Sequence, residues 1–205
     1  MQEAIIHLSR SDSKLANILA TVALPEPQSS GDIYYDLLDS IVSQQLSTKV
    51  ATVIFKRFLT LFPGEYPHPG QLLALELDEL RSVGLSKAKA QYMQNVAEFW
   101  IQEELENKNW DELSNEEIIA SLIKIKGVGR WTIEMILIFT LQRPDVFPTD
   151  DLGIQQAMIL AYGLEKDKHL KKRMIEIAEP WRPYRTTASR ALWRWKNQIK
   201  EVADH

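Results

Sequence analysis

Hydrophobic residues recur at helical spacing along most of the chain. In one stretch, Ile41 and Val42 follow Leu37 and Leu38 by about one helical turn, so the four residues share one face of a helix. No segment of useful length alternates apolar and polar residues as a half-buried strand does. The pattern therefore predicts an all-α fold. The predicted helices cover 37–42, 47–61, 72–83, 88–100, 114–125 and 132–141, and residues 3–20 are predicted to be helical in part.

Local signals set several of the predicted helix ends. Ser47 is a good N-cap for the helix that follows it. Ser114 and Glu117 have the spacing of a capping box, in which each side chain bonds the other's backbone N–H. The segments 62–64 and 67–70 are rich in Pro and Gly, so they are expected to be loops.

Composition narrows the class of protein. The 205 residues include no Cys, which excludes disulfides, thiolate metal sites, iron–sulfur clusters and a Cys nucleophile. No apolar run approaches the roughly 20 residues of a membrane helix, and the first residues lack the apolar stretch of a secretory signal. We therefore expect a protein outside membranes, and the lack of Cys fits a reducing compartment.

The charge is distributed unevenly. The formal net charge is −4, but residues 1–120 hold 9 Lys and Arg against 18 Asp and Glu, whereas residues 121–205 hold 15 against 10. An acidic chain argues against nucleic acid as a partner. A locally basic region leaves that partner open, because release of counterions from DNA depends on the local patch.

A Gly-x-Gly turn between two predicted helices is the most informative segment. It runs from Lys126 to Thr132 and reads Lys-Gly-Val-Gly-Arg-Trp-Thr. Glycines allow close approach to the main chain, and the N–H groups that begin the next helix suit a phosphate oxygen. Lys124, Lys126 and Arg130 add positive charge. Many helix pairs use such glycines only to turn, so the pattern alone leaves both interpretations open.

Two further segments carry candidate chemistry. Asp150 and Asp151 follow Pro148-Thr149; Asp150 fits a helix cap, and the pair also suits a metal or catalytic site. The segment 180–185 alternates Trp181 and Tyr184 with arginines, and aromatic rings can stack on bases. Tryptophans also commonly fill a core. A core role therefore remains open for this segment and for Trp193 and Trp195 after it.

Taken in order, four motifs resemble the helix-hairpin-helix (HhH-GPD) DNA glycosylases, in particular the 3-methyladenine DNA glycosylase II branch. The resemblance spans roughly residues 34–195. It implies two helical lobes with a DNA-binding cleft between them. By this resemblance, residues 34–140 form the central lobe with the hairpin, and residues 1–33 plus 141–205 form the lobe that carries the catalytic Asp. The motifs are 43–47 (Ser-Gln-Gln-Leu-Ser), 126–132, 148–151 (Pro-Thr-Asp-Asp) and 181–185 (Trp-Arg-Pro-Tyr-Arg).

The resemblance also implies roles for individual residues. Asp151, three positions before Ile154, matches the catalytic aspartate of an Asp-x-x-Ile pattern, and either Gln45 or Leu46 matches the wedge that fills the gap left by a flipped base. The other implied sites are groups of residues. The phosphate grip would be Lys126, Gly127, Val128, Gly129, Arg130 and Thr132; the base pocket would be Trp131, Met135, Trp181 and Tyr184; and a structural Na⁺ or K⁺ ion would bind the carbonyls of Ile123, Ile125 and Val128.

One departure from the wider family indicates the subclass. Glycosylases that also cut the strand carry a lysine directly after the hairpin arginine, where it forms a Schiff base, and this chain has Trp131 there. The resemblance therefore implies a monofunctional glycosylase that removes alkylated purines from duplex DNA. It would act as a monomer, require no cofactor and leave an abasic site. A protein that acts on DNA would be located in the cytoplasm with the nucleoid or, in a eukaryote, in the nucleus. A non-catalytic helix-hairpin-helix protein that binds distorted duplex is the alternative; Asp151 argues against it, since a pure binder needs no carboxylate facing a phosphate backbone.

Overall fold

The computed structural model describes residues 1–26 and 28–203, and the regular secondary structure in these ranges is helical, with no strand among them. This confirms the predicted all-α class. The helices are α1 (Gln2–Ser11), α2 (Ser13–Thr21), α3 (Ile33–Ser43), α4 (Thr48–Leu59), α5 (Pro69–Ala74), α6 (Leu77–Ser82), α7 (Lys87–Gln102), α8 (Asn115–Leu122), α9 (Arg130–Met135), α10 (Leu152–Tyr162), α11 (Leu170–Ala178) and α12 (Arg185–Ala203).

Short irregular helices lie between these elements. Four of those in the described ranges are 3₁₀ turns, and a π-helical turn follows α9 directly. The 3₁₀ turns are Pro63–Glu65, Leu105–Asn107, Trp110–Glu112 and Glu179–Trp181, and the π turn is Ile136–Thr140. None of the helices formed by the described residues is long and apolar enough to cross a membrane.

The chain divides into two compact units. The terminal unit comprises Met1–Gln28 and Leu137–His205, and the central unit comprises Ser29–Ile136. The family resemblance implied the corresponding boundaries at residues 34 and 140. Each unit has its own buried apolar residues, so each buries a core of its own.

The core of the central unit forms around α3 and α7. Leu37, Leu38, Ile41 and Val42, the residues that share one predicted helix face, are all completely buried. Tyr34 at the start of α3 is buried with them, and its hydroxyl donates to the Pro67 carbonyl at 2.9 Å. The helical spacing of α3 therefore indicates the buried face correctly.

The core of the terminal unit joins both ends of the chain. Side chains of α1 and α2 pack with those of α10, α11 and α12 around the completely buried Trp181. Its larger members are Leu8, Leu15, Ile18, Phe147, Ile154, Met158, Leu170, Met174, Trp181 and Leu192.

Two predicted helical segments are each divided in the structure. The segment 3–20, predicted to be helical in part, forms two helices that meet at Asp12, whose extended backbone ends α1 and whose side chain caps α2 by accepting from the Leu15 N–H at 2.9 Å. The predicted helix 72–83 becomes α5 and α6 because Glu76 begins a new capping box with Glu79. Apolar spacing continues across both breaks, so it did not reveal them.

Other helix ends agree with the prediction in part. Ser114 and Glu117 form the predicted capping box at the start of α8. Ser47 occupies the N-cap position of α4, but its side chain makes no capping hydrogen bond. The predicted helix 132–141 begins earlier, at Arg130, and changes to π geometry at Ile136.

Asp12 connects three parts of the terminal unit. Besides capping α2, its Oδ2 accepts from the Tyr162 hydroxyl at 2.8 Å and from Trp181 Nε1 at 3.0 Å. Burial raises the pKa of Tyr162, and the hydrogen bond to Asp12 raises it further, so the phenol stays a donor. One carboxylate thus satisfies two aromatic donors and one helix end.

We predict that Asp12→Ala lowers the free energy of unfolding by roughly 2–4 kcal/mol, because it removes a helix cap and leaves two aromatic donors without their acceptor. Denaturant unfolding of the purified protein measures the change. The control is Asp78→Ala, which removes only an exposed ion pair with Arg81 and should cost less than about 0.5 kcal/mol. Equal losses in the two variants would contradict the structural role of Asp12.

Candidate active site and nucleic-acid interface

The Gly-x-Gly segment forms a tight hairpin between α8 and α9. The Ile125 N–H donates to the Leu122 carbonyl at 3.1 Å, and the Val128 N–H donates to the Ile125 carbonyl at 3.0 Å. The side chains of Ile125 and Val128 are buried, whereas Gly129 is exposed at the N-cap of α9. The apolar residues thus anchor the turn in the core, and Gly129 lies at the surface.

Gly127 is required by both backbone and space. Its φ is +104°, which disfavours any residue with a side chain, and a Cβ there would lie 2.2 Å from Cγ of Tyr92. Next to it, Asn95 donates from Nδ2 to the Lys126 carbonyl at 2.9 Å. Both Tyr92 and Asn95 belong to α7, so α7 supports the hairpin directly.

The polar groups of the hairpin are mostly main-chain groups. Lys126 is exposed, and Arg130 is 57% exposed but pairs with the buried Glu134 at 3.0 Å. The side chains of Val128 and Thr132 are buried. The exposed residues of this segment are Lys126, Gly129 and Arg130.

The carbonyls predicted to hold a monovalent ion lie in the same turn. Ile123 is the C-cap of α8, and the Ile125 carbonyl accepts from Val128. A carbonyl oxygen carries two lone pairs, so the Ile125 oxygen can make this bond and also coordinate a cation. The donor set is therefore chemically suited to Na⁺ or K⁺.

The predicted wedge residues lie on an exposed turn between α3 and α4, residues 44–47, which we call the wedge turn after this prediction. Gln45 has a positive φ of 60°, and Leu46 is 38% exposed. The preceding Gln44 donates from Nε2 to the Gly127 carbonyl at 3.3 Å. The structure thus brings the wedge turn next to the hairpin within the central unit.

Lys89 supports the wedge turn from α7. Its Nζ donates to the carbonyls of Val42 and Gln44, each at 2.7 Å. Burial lowers the pKa of Lys89, because the ammonium is partly removed from water. The last turn of α3 therefore ends on a cation that satisfies two of its free carbonyls.

Asp151 begins α10 in the terminal unit. It is the N-cap, and its Oδ1 accepts from the Ile154 N–H at 2.8 Å and from Trp193 Nε1 at 2.7 Å. The prediction that Asp150 is the cap is wrong: Asp150 points away and forms an ion pair with Lys171. Two adjacent acids suit a cap equally well by sequence, and the backbone path selects Asp151.

Trp193 was not among the predicted site residues. Its ring stacks on Phe139, with centroids 5.9 Å apart and an interplanar angle of 26°. Phe139 and Leu152 beside Asp151 are both exposed, Leu152 to 66%. Because Trp193 is 42 residues from Asp151 in sequence, no local spacing could have joined them.

The predicted pocket aromatics occupy different environments. Trp131 and Met135 are half-buried on α9. Tyr184 is also half-buried, packs edge-on against His7 of α1 at 5.3 Å and hydrogen-bonds Glu3. The hydrogen bond to Glu3 raises the pKa of Tyr184, with burial adding to it. The roles of Trp131, Met135 and Tyr184 in a base pocket stay predictions.

The pocket role predicted for Trp181 is wrong in this structure. Its side chain is 0% exposed and its ring packs edge-on against Phe147 at 5.5 Å. Its one polar atom, Nε1, is bonded to Asp12. Trp181 is therefore a core residue and offers no face to a base.

The arginines of the same segment are structural too. Arg185 binds the Asp145 carboxylate with two nitrogens, at 2.6 and 2.9 Å, and Arg182 reaches it at 2.6 Å. Burial alone would raise the pKa of Asp145, but the hydrogen bonds and charges of the two arginines outweigh it and hold that pKa below its usual value. The stability contributed by this ionisation is present near neutral pH and is lost as pH falls through the lowered pKa.

These features agree with the comparison to known families. A family model described as "HhH-GPD superfamily base excision DNA repair protein" matches residues 38–183, more than half of the chain. The chain belongs to the HhH-GPD superfamily. The match includes the hairpin, the wedge turn and Asp151.

Relatives of this HhH-GPD protein are similar over nearly their whole length. DNA-3-methyladenine glycosylase 1 of Schizosaccharomyces pombe is 36% identical over 199 residues, which cover 95% of this chain and 87% of that protein. The structure of the S. pombe 3-methyladenine DNA glycosylase Mag1 in complex with abasic DNA superposes with a TM-score of 0.80 and 33% identity, covering 99% of this chain and 98% of that one. A DNA-3-methyladenine glycosidase from Bacillus halodurans gives a TM-score of 0.85 at 30% identity, covering 98% and 96%.

We predict that Gly127→Ala destabilises this HhH-GPD protein by about 1–3 kcal/mol, because the new methyl group overlaps Tyr92 and the backbone is strained. Thermal unfolding measures the loss. Gly70→Ala is the matched control, since a Cβ at Gly70 in α5 meets nothing within 4 Å. A wild-type melting temperature for Gly127→Ala would contradict the close packing of the hairpin on α7.

Proposed function

We propose that this chain is a DNA glycosylase that hydrolyses the bond between a damaged, alkylated purine and its sugar, leaving an abasic site for base excision repair. The observation that carries the proposal is the Asp151 carboxylate, which two donors hold at the start of α10 in a chain of this family. The names of two relatives, DNA-3-methyladenine glycosylase 1 and Mag1, support alkylated bases as substrates.

Base release first requires extrusion of the nucleotide, because C1′ cannot be reached in a stacked duplex. Unstacking costs a few kcal/mol, and less for damaged or mispaired bases. The exposed turn with Gln45 and Leu46 supplies the wedge that fills the gap. The hairpin main chain from Gly127 to Thr132 holds the backbone phosphate, and the adjoining contact of Gln44 with Gly127 couples these two parts of the interface.

Asp151 then stabilises the charge that develops on the sugar. As the C1′–N bond breaks, its electron pair leaves with the base and the sugar becomes cationic. A carboxylate about 4 Å away, at an effective dielectric constant of about 20, stabilises this charge by roughly 4 kcal/mol. That corresponds to about three powers of ten in rate. Water then bonds to C1′ and loses a proton.

The size of the rate increase from Asp151 indicates the substrate class. Three powers of ten are modest for a normal base, which is a poor leaving group. An alkylated purine such as 3-methyladenine already carries a positive charge and leaves as a neutral base. Electron-rich rings also attract such a cation by about 0.5–2 kcal/mol each, and Trp131 is the predicted ring on α9.

The absence of a lysine after Arg130 supports a monofunctional enzyme. Schiff-base formation on the sugar requires an amine at that position, and Trp131 provides none. Water is then the nucleophile, and the strand stays intact. We also infer that the enzyme acts as a monomer, since one chain supplies the hairpin, the wedge turn and the carboxylate.

A monovalent cation at the hairpin is a further part of the proposal. The carbonyls of Ile123, Ile125 and Val128 would hold Na⁺ or K⁺, whose charge favours a phosphate at the turn. No step of base release depends on this ion. The reaction itself requires no cofactor.

The first test replaces the carboxylate. Asp151→Asn should reduce single-turnover release of free base from methylated duplex by at least about 1,000-fold, because the sugar cation loses roughly 4 kcal/mol of stabilisation. Binding to abasic-site DNA should change little. Asp150→Asn, which removes only the surface ion pair with Lys171, should retain the wild-type rate. Wild-type release by Asp151→Asn would refute the assignment.

The second test concerns the product. Wild-type protein incubated with methylated duplex should yield sites that break in alkali but remain unbroken without it. Borohydride added during the reaction should trap no covalent protein–DNA complex, because no lysine forms a Schiff base. A trapped complex or an enzyme-dependent nick would show that the chain also acts as a lyase.

A further inference from the structure

Gly153 is a glycine that the backbone does not require. It is the second residue of α10, its φ lies outside the left-handed region, and it is half-buried. Alanine forms helices more readily than glycine. The reason for glycine at this position must therefore be the space that a side chain would occupy.

That space is bordered by both Asp151 and Trp193. A Cβ on Gly153 would lie 3.0 Å from Cδ1 and 3.2 Å from Nε1 of Trp193, and 3.0 Å from Oδ1 of Asp151. These are the two groups joined by the 2.7 Å hydrogen bond. A methyl group at position 153 would press on both ends of that bond.

The indole has little room to move aside. Its ring stacks on Phe139, so the phenyl ring packs against one face of it. The indole carries only two side-chain torsions and, unlike a lysine or glutamate, cannot bend along its length. Displacement by a methyl group at position 153 would therefore lengthen or break the bond to Asp151.

We propose that Trp193 is a positioning residue for Asp151. Gly153 leaves the space beside the indole free, and Phe139 packs against one face of the indole. The proposal rests on the proposed function of Asp151. The Ile154 N–H and the indole N–H both bind Oδ1 and approach it from different elements, α10 and α12. Together they fix the carboxylate in one orientation before DNA binds, so that no reorientation is needed as charge develops on the sugar.

The kinetic test separates positioning from binding. Trp193→Phe keeps a ring that can stack on Phe139 but removes the N–H, and Gly153→Ala displaces the indole. Each should slow single-turnover release of methylated base by roughly 10- to 100-fold, the cost of a small misplacement. Affinity for an abasic-site duplex should stay within about twofold of wild type. Gly70→Ala should retain wild-type rate and affinity.

A spectroscopic test needs no activity. The indole N–H resonance of Trp193, assigned by its loss in Trp193→Phe, should shift in Asp151→Ala and in Gly153→Ala but not in Asp150→Ala. Thermal unfolding of each variant shows that it is folded when measured.

Any one of three results would overturn the positioning role: wild-type release by Trp193→Phe, an unmoved indole resonance in Asp151→Ala, or a parallel loss of affinity and rate. The last result would mean that the indole acts mainly through contact with DNA. If the wild-type protein releases no methylated base, the proposed function fails instead, and the resonance still decides whether the indole holds Asp151.

Discussion

One carboxylate, held in place by two donors, is the feature on which the proposed chemistry depends. Asp151 ends the loop before α10, and its Oδ1 accepts the Ile154 N–H of that helix and the indole N–H of Trp193 from α12. The capping bond is a structural contact that many helices make. The indole bond is not needed to begin a helix, and it places an ionisable group between two elements in a fixed orientation. A single residue thus combines a structural task with the chemistry proposed for it.

The central unit uses a comparable arrangement for a different task. Gly127 allows the hairpin to lie directly against Tyr92 of α7, and Gln44 ties the wedge turn to the Gly127 carbonyl. Lys89 closes the last turn of α3 beside it. Under the proposed function, the main-chain groups of the hairpin would bind the phosphate, and their directions depend on this packing. The geometry of the glycine hairpin therefore depends on its packing against α7.

The features that the sequence predicted correctly are those that depend on residues close together in the chain. The apolar spacing of α3 identified its buried face, and the Ser114–Glu117 pair marked the start of α8, because both depend on residues within one or two turns of each other. The break at Asp12 was missed, since the side chain that ends α1 also binds Tyr162 and Trp181, more than 100 residues away. The same distance concealed the burial of Trp181, whose sequence surroundings resemble an exposed aromatic–arginine segment.

The candidate site shows the same division. The hairpin and Asp151 belong to motifs that a family resemblance can locate, whereas Trp193 meets Asp151 only because of the path of α12.

The most direct measurement of the central claim is the release of labelled methylated base from methylated duplex DNA by the purified chain under single-turnover conditions. We expect free methylated purine to accumulate while both DNA strands remain intact. Tight binding of the same duplex with no free base would contradict the claim, and would leave a protein that recognises DNA without acting on it.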